Sequence, residues 1–218
     1  MSTLITSGCS YTKYKWDTWA DYLANKFLHS QNLGEPGAGN KYIYHSILNY
    51  IFTYNQSLED HTFVIEWSSI KRHDFMNDEG KWQLGGQVDN NDYYTLNWVR
   101  KYFDLEERIR DLYFYVNHLS FLQKEKKFNL KMFYMFEPWI KDFAGEPASW
   151  NPIYNSGMER YKQSTYLKEL KLNYKDRLWI KPSLEKFAMT YDSWGKNEDT
   201  HPPTEVHKDY SELVYDLL

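Results

Sequence analysis

The sequence predicts a three-layer α/β/α domain with a mostly parallel sheet of about five strands and helices on both faces. Three observations predict it. Short β-type runs alternate with amphipathic helical patterns along the whole chain. The run Phe63-Val64-Ile65-Glu66-Trp67 is continuous rather than alternating, which suits a central parallel strand buried on both faces. Polar turns bearing glycine or serine fall beside the strand-like runs, at the edge where sites form in open parallel sheets.

Taken in order, Leu4 to Gly8 reads as the first strand and Cys9-Ser10-Tyr11-Thr12 as the turn after it. Trp16, Trp19, Ala20, Leu23 and Phe27 then recur at spacings of three and four, the signature of one apolar helix face. The stretch Gly34-Glu35-Pro36-Gly37-Ala38-Gly39-Asn40 is rich in backbone-permissive residues and reads as a loop. A second helix follows, with Ile43, Ile47, Tyr50, Ile51 and Tyr54 on one side. After the central strand, residues 72–94 are polar and contain glycine and asparagine, so they are expected to leave the core as a rim or lid.

From about Thr95 to Lys127 the positions of Val99, Phe103, Ile109, Leu112, Val116, Leu119 and Leu122, uninterrupted by proline, predict a helical stretch. Leu130 to Phe136 is the next strand, ended by Pro138. A second excursion is expected over residues 138–176, then a short strand at Leu178-Trp179-Ile180 and a short helix from Leu184 to Met189. The last helix starts after His201-Pro202-Pro203, proline being tolerated in a first turn, and turns Tyr210, Leu213, Val214 and Leu217 inward. No internal repeat or low-complexity segment interrupts the pattern.

Composition narrows the function. At 218 residues a single domain spanning 1–218 is the expectation. The mean hydropathy of −0.76 is low. However, 20 Tyr, 12 Phe and 9 Trp carry apolar surface that buries well, so disorder is excluded and the core is aromatic. No apolar run approaches the ~18 residues of a membrane-spanning helix, and the N-terminus lacks a secretory pattern, so a soluble, cytoplasmic protein without a membrane partner is expected. The lone Cys9 excludes an internal disulfide and a thiolate zinc cage. A net charge of −4, with the lysines of 124–127 and 168–175 interspersed among acids or apolar residues, argues against nucleic acid as a partner.

Three distinctive segments fall at the sheet's carboxyl edge, Gly8-Cys9-Ser10, Gly37 to Asn40 and Trp67-Ser68-Ser69, and a fourth, Asp199-Thr200-His201-Pro202, precedes the final helix. A serine, a glycine loop, a polar turn and an acid–histidine pair are the parts of an acyl-transfer site. A hydroxyl is a poor nucleophile until a base takes its proton, and histidine titrates near neutrality. A carboxylate must orient that imidazole, and the oxyanion formed on attack needs donors aimed at it.

In this order the segments Ile5–Thr12, Asn32–Asn40, Phe63–Phe75 and Asp199–His207 resemble the SGNH (GDSL-type) hydrolase superfamily, most closely its small phage and bacterial members. The resemblance implies a flavodoxin-like arrangement and a serine esterase without metal or cofactor. It makes Ser10 the nucleophile and its N–H an oxyanion donor, Gly37 a second donor, and His201 the general base. Asp199, or Glu198 three residues before the histidine, would orient the ring. The implied substrate is a small acyl ester, such as an O-acetyl group on a carbohydrate. The third block departs from the family's Gly-x-Asn-Asp, because Ser68-Ser69 stands there. Ser69, Ser68 or Asn40 is then expected to replace the missing amide donor. Arg72 can fix a substrate carboxylate or sulfate, or pair with Asp74, and Trp67 is a candidate substrate contact.

Each assignment has a structural rival. Ser10 can be a helix N-cap and Gly37 merely a turn residue. Cys9 can be the reactive group in place of Ser10. His207 repeats His201 at a spacing of six, which does not share a helix face and reads as a packed histidine; His29, His45, His61, His73 and His118 show no ligand spacing. Trp139, Phe143, Trp150 and Tyr154 either line a groove for sugar rings or pack a loop onto the core. The rival function is a catalytically weak or inactive module of the same fold that binds glycan or a partner protein. A nucleotide-binding variant would need more than the single glycine after the first strand.

Overall fold

The computed structural model describes residues 3–88, 94–138, 160–194 and 201–218. The central sheet holds β1 (Thr3–Ser7), β2 (His29–Asn32) and β3 (His61–Trp67); β4 (Arg72–Met76) and β5 (Trp82–Gln87) form a separate antiparallel hairpin; β6 (Asn129–Tyr134) returns to the sheet. The order is β2-β1-β3-β6, every neighbour parallel. Leu178–Ile180 adds a fifth position through Met132 N–H to Leu178 C=O and Ile180 N–H to Met132 C=O, both 2.8 Å. With that segment the order is the doubly wound flavodoxin-like one, whose crevice opens where the strand order reverses beside β1.

Every residue of β3 is buried, as a strand between two neighbours and two helical layers requires. The helices are α1 (Trp19–Ala24), α2 (Asn40–Thr53), α3 (Leu96–Tyr102), α4 (Leu105–Lys126), α5 (Thr165–Asn173), α6 (Leu184–Ala188) and α7 (Thr204–Asp216). On one face Trp19 of α1 and Tyr210 of α7 meet Phe133 edge-on, with centroids 5.0 and 5.1 Å away. Elsewhere Tyr50 of α2 meets Phe63 at 5.8 Å. No helix among the described residues is long and apolar enough to cross a membrane.

Two expectations need correction. The helical stretch from Thr95 to Lys127 is two helices, because Phe103 and Asp104 are extended and the Asp104 carboxylate accepts the N–H groups of Glu106 and Glu107, starting α4 afresh. Of the second excursion, residues 139–159 lie outside those described, and α5 within it packs on α4, burying Leu167 and Leu170.

The first excursion is a hairpin clamped onto the glycine loop, and the reason is local. The N-cap of α2 is Gly39, which has no side chain to satisfy the first helical N–H groups. Asp74 of β4 supplies the cap instead, accepting from Gly39 N–H at 2.9 Å and Tyr42 N–H at 3.0 Å. A Cβ at residue 39 would lie 2.8 Å from Asp74 Oδ2 and 3.0 Å from Arg72 Cβ, so glycine there is what admits the hairpin. Gly86 N–H closes the clamp on Gly37 C=O at 3.2 Å.

Candidate functional site

The turn after β1 is built over a buried carboxylate. Thr12 and Lys13 N–H both return to Cys9 C=O, at 2.9 and 3.0 Å, folding residues 9–13 tightly and presenting Ser10 at 6% exposure. Beneath it Glu66, fully buried in β3, accepts Cys9 Sγ–H at 3.1 Å on one oxygen and the Thr12 hydroxyl on the other. Burial pushes the Glu66 carboxyl above its ordinary range, and the Thr12 and Cys9 bonds pull it back. Burial likewise pushes the Cys9 thiol up to about 11, keeping it protonated as a donor to Glu66. A buried thiol so occupied is a brace for the turn and a poor nucleophile.

The loop after β2 follows from its sequence. Glu35-Pro36-Gly37-Ala38 is a β-turn closed by Ala38 N–H to Glu35 C=O at 3.1 Å, with proline second and Gly37 third at φ +82°, the order a type II turn demands. The loop is stitched to the first turn by Glu35 N–H to Gly8 C=O at 3.1 Å and by the Lys13–Glu35 ion pair at 2.6 Å. Among the described residues no acceptor takes the N–H of Ser10 or of Gly37.

The third block turns on Ser69, whose C=O accepts Arg72 N–H at 3.2 Å and whose Oγ accepts Lys71 N–H at 3.2 Å. Asn40 holds this block to the glycine loop: its Oδ1 takes Ser68 N–H at 2.8 Å and its Nδ2 donates to Ser68 C=O at 3.1 Å. Its oxygen and one of its two amide N–H groups are therefore engaged by backbone. Arg72 does not close on Asp74; its Nη1 donates to Ala38 C=O at 3.0 Å. Trp67 is 0% exposed, a core residue at the strand end and not a substrate contact.

The end of the chain comes to this edge. The ring of His201 stacks on Tyr14 with centroids 4.0 Å apart and planes 19° apart, and meets Tyr11 at 5.3 Å and Trp16 at 6.4 Å edge-on. An imidazole three residues before α7 is thus clasped by three rings of the segment that follows Ser10. Sequence reading missed the clasp: Trp16 was assigned to the helix face, whereas α1 starts only at Trp19. The aromatic spacing Tyr11, Tyr14, Trp16 directly after a candidate nucleophile was the available signal. Glu66 was missed because it sits inside an apolar run. Asp199 and Glu198 lie outside the described residues, as do Trp139, Phe143, Trp150 and Tyr154.

His207 lies one turn into α7 at 0% exposure, edge-on to Tyr11 at 6.4 Å, and neither ring nitrogen has a partner among the described residues. Burial, then the proximity of His201, lowers its pKa from 6.5 to about 3. Below about pH 6.5 the unfolded chain takes up a proton that folded His207 refuses until about pH 3, so stability falls as pH falls through that window. His73, lowered to about 4 by burial and by Arg108, acts in the same direction. His207→Phe is therefore expected to flatten the decline of melting temperature with acidification. An unchanged slope would clear His207 of that role.

No protein-family model matches the sequence, and no curated protein matches it. A solved structure described as a member of the lipolytic protein G-D-S-L family from Veillonella parvula DSM 2008 is similar to this chain with a TM-score of 0.53 and 12% identity, covering 99% of this chain and 97% of that one. The chain has the SGNH (GDSL-type) hydrolase fold.

Proposed function

We propose that the protein is a serine ester hydrolase of the SGNH type. The observation that carries this reading is the clasp that holds His201 against the segment bearing Ser10, at the carboxyl edge of a parallel sheet. Ser10 Oγ attacks the ester carbonyl carbon while its proton passes to His201. The oxyanion is met by the N–H groups of Ser10 and Gly37, and Asp199 or Glu198 orients the imidazole. His201 then returns its proton to the departing alcohol. Water, deprotonated by the same ring, releases the acid from Ser10.

The proposed substrate is a small acyl ester, with an O-acetylated carbohydrate as the leading class. A groove of about 470 Å³ beside the glycine loop, with Tyr42, His45, Met76 and Trp82 among its walls, offers flat and apolar surface of the kind sugar rings stack on. The test is turnover of p-nitrophenyl acetate together with labelling by a fluorophosphonate probe, the adduct being located by peptide mapping. An adduct on Ser10 is expected. Absence of both turnover and adduct would leave a glycan- or protein-binding module as the better account.

A further inference from the structure

The site as described has two unoccupied backbone donors and one charged side chain whose position the esterase reading does not use. Arg72 begins β4 immediately after the Ser68–Ser69 turn. Its Nη1 rests on Ala38 C=O at 3.0 Å, one residue from Gly37, and its Nε is buried with no partner among the described residues. An unpaired buried N–H on a cation costs on the order of 1–3 kcal/mol or more, so its retention asks for a partner that the protein alone lacks. The bare Gly39 is what lets the side chain approach, since a Cβ there would come within 3.0 Å of Arg72 Cβ.

The guanidinium also acts on the other wall of the site. Its charge offsets part of the upward shift imposed by burial on Cys9, Tyr11 and Glu66, so it stands near the turn that presents Ser10 as well as against the glycine loop. The alternative side chains are held less favourably. Asn40 spends its oxygen and one N–H on the backbone of Ser68, and Ser68 Oγ donates to Met135 Sδ at 3.9 Å. Ser69 Oγ, which accepts Lys71 N–H, offers only a neutral hydroxyl, a weaker donor to a developing anion than a guanidinium N–H.

We propose that Arg72 is the third oxyanion donor of this site, its guanidinium supplying from β4 a charged side-chain N–H that Ser68 and Ser69 cannot. This rests on the esterase reading above and deepens it. A guanidinium has five N–H donors in a fixed fork, so one can brace Ala38 while another faces the developing negative charge. Its charge favours the tetrahedral intermediate over the neutral ester, which places the effect on kcat and not on ground-state binding.

The experiment compares wild type, Arg72→Gln and Arg72→Lys on two esters, neutral p-nitrophenyl acetate and the anionic mono-p-nitrophenyl succinate. Arg72→Gln is expected to lower kcat about 10²–10³-fold on both, with KM nearly unchanged, and to weaken a trifluoromethyl ketone inhibitor by the same factor as kcat/KM. Arg72→Lys is expected to fall between the two and serves as the informative variant if the glutamine form does not fold. Undiminished turnover in both variants overturns the proposal. A loss confined to the succinate ester also overturns it, making Arg72 a carboxylate binder, and a rise in KM with kcat and inhibitor affinity preserved reduces Arg72 to a brace for the loop. A wild type without turnover or Ser10 labelling fails the esterase reading itself and this proposal with it, whereas an active wild type with indifferent Arg72 variants fails this proposal alone.

Discussion

Ser10→Ala is expected to cut kcat on p-nitrophenyl acetate by at least about 10³-fold, and His201→Gln by about 10²–10⁴-fold. The two losses should not multiply. A base that deprotonates one particular hydroxyl is worth nothing once that hydroxyl is gone, so the double variant should be no slower than Ser10→Ala alone. On the proposed reading the residual rate of the single variants would come from the oxyanion donors, the N–H groups of Ser10 and Gly37 with Arg72, which neither substitution removes. Melting temperature is the control, because His201 is packed against Tyr11, Tyr14 and Trp16 and glutamine leaves part of that contact unfilled. Steady-state kinetics with an active-site titration decides the matter. Wild-type turnover in His201→Gln, or losses that multiply in the double variant, would remove His201 from the chemistry.

The fold was legible wherever burial writes a pattern. The central strand is apolar at nearly every position because both its faces are covered, and α2, α4 and α7 each repeat an inward stripe. What escaped are elements whose reason lies elsewhere in the chain. Strand β2 is His-Ser-Gln-Asn, nearly all exposed: an edge strand needs only backbone pairing with β1 and leaves no apolar mark. The break before α4 escaped because the apolar period runs on through Phe103 while the capping geometry of Asp104 interrupts the helix. The hairpin read as a loop since its turn residues, Asn77 to Gly80, are louder than the short strands on either side; its purpose, capping α2 with Asp74, is invisible without the tertiary contact.

The site was legible in the same uneven way. Ser10, Gly37 and His201 were singled out by residue type and order, and the turns that bear Ser10 and Gly37 take the form their neighbours dictate. Trp67 was misjudged because a residue at the end of a strand can face the crevice or the core, and local sequence does not say which. Asn40 was expected to offer its amide to a ligand; the backbone of Ser68, left unpaired at a strand end, takes its oxygen and one of its two N–H groups, a tie that sequence order does not reveal. Glu66 was passed over since one carboxylate in an apolar strand looks like an exception, when it is the anchor for the entire first turn.

That anchor sets the largest expected loss of stability. Gly8→Ala would place a Cβ 2.0 Å from Thr12 Oγ1 and 2.8 Å from both Glu66 Oε2 and Thr12 Cβ, closer than atoms can stand. The backbone at residue 8 is not in the left-handed region, so the penalty is steric and not conformational. Neither neighbour can yield cheaply: moving the Thr12 hydroxyl breaks its bond to Glu66, and Glu66 is itself fixed by Cys9 and enclosed on all sides. Overpacking costs about 1–3 kcal/mol and a buried carboxylate stripped of a donor about as much again, so a destabilisation of roughly 3–5 kcal/mol is expected. Thr12→Ala removes the closest atom, so in the double variant the two losses should fall short of their sum by more than about 1 kcal/mol. Urea denaturation of the four proteins measures this. Additive losses would mean that the clash is relieved by backbone movement, in which case Ser10, two residues along, should shift with it and the fluorophosphonate reaction should slow even where stability is retained.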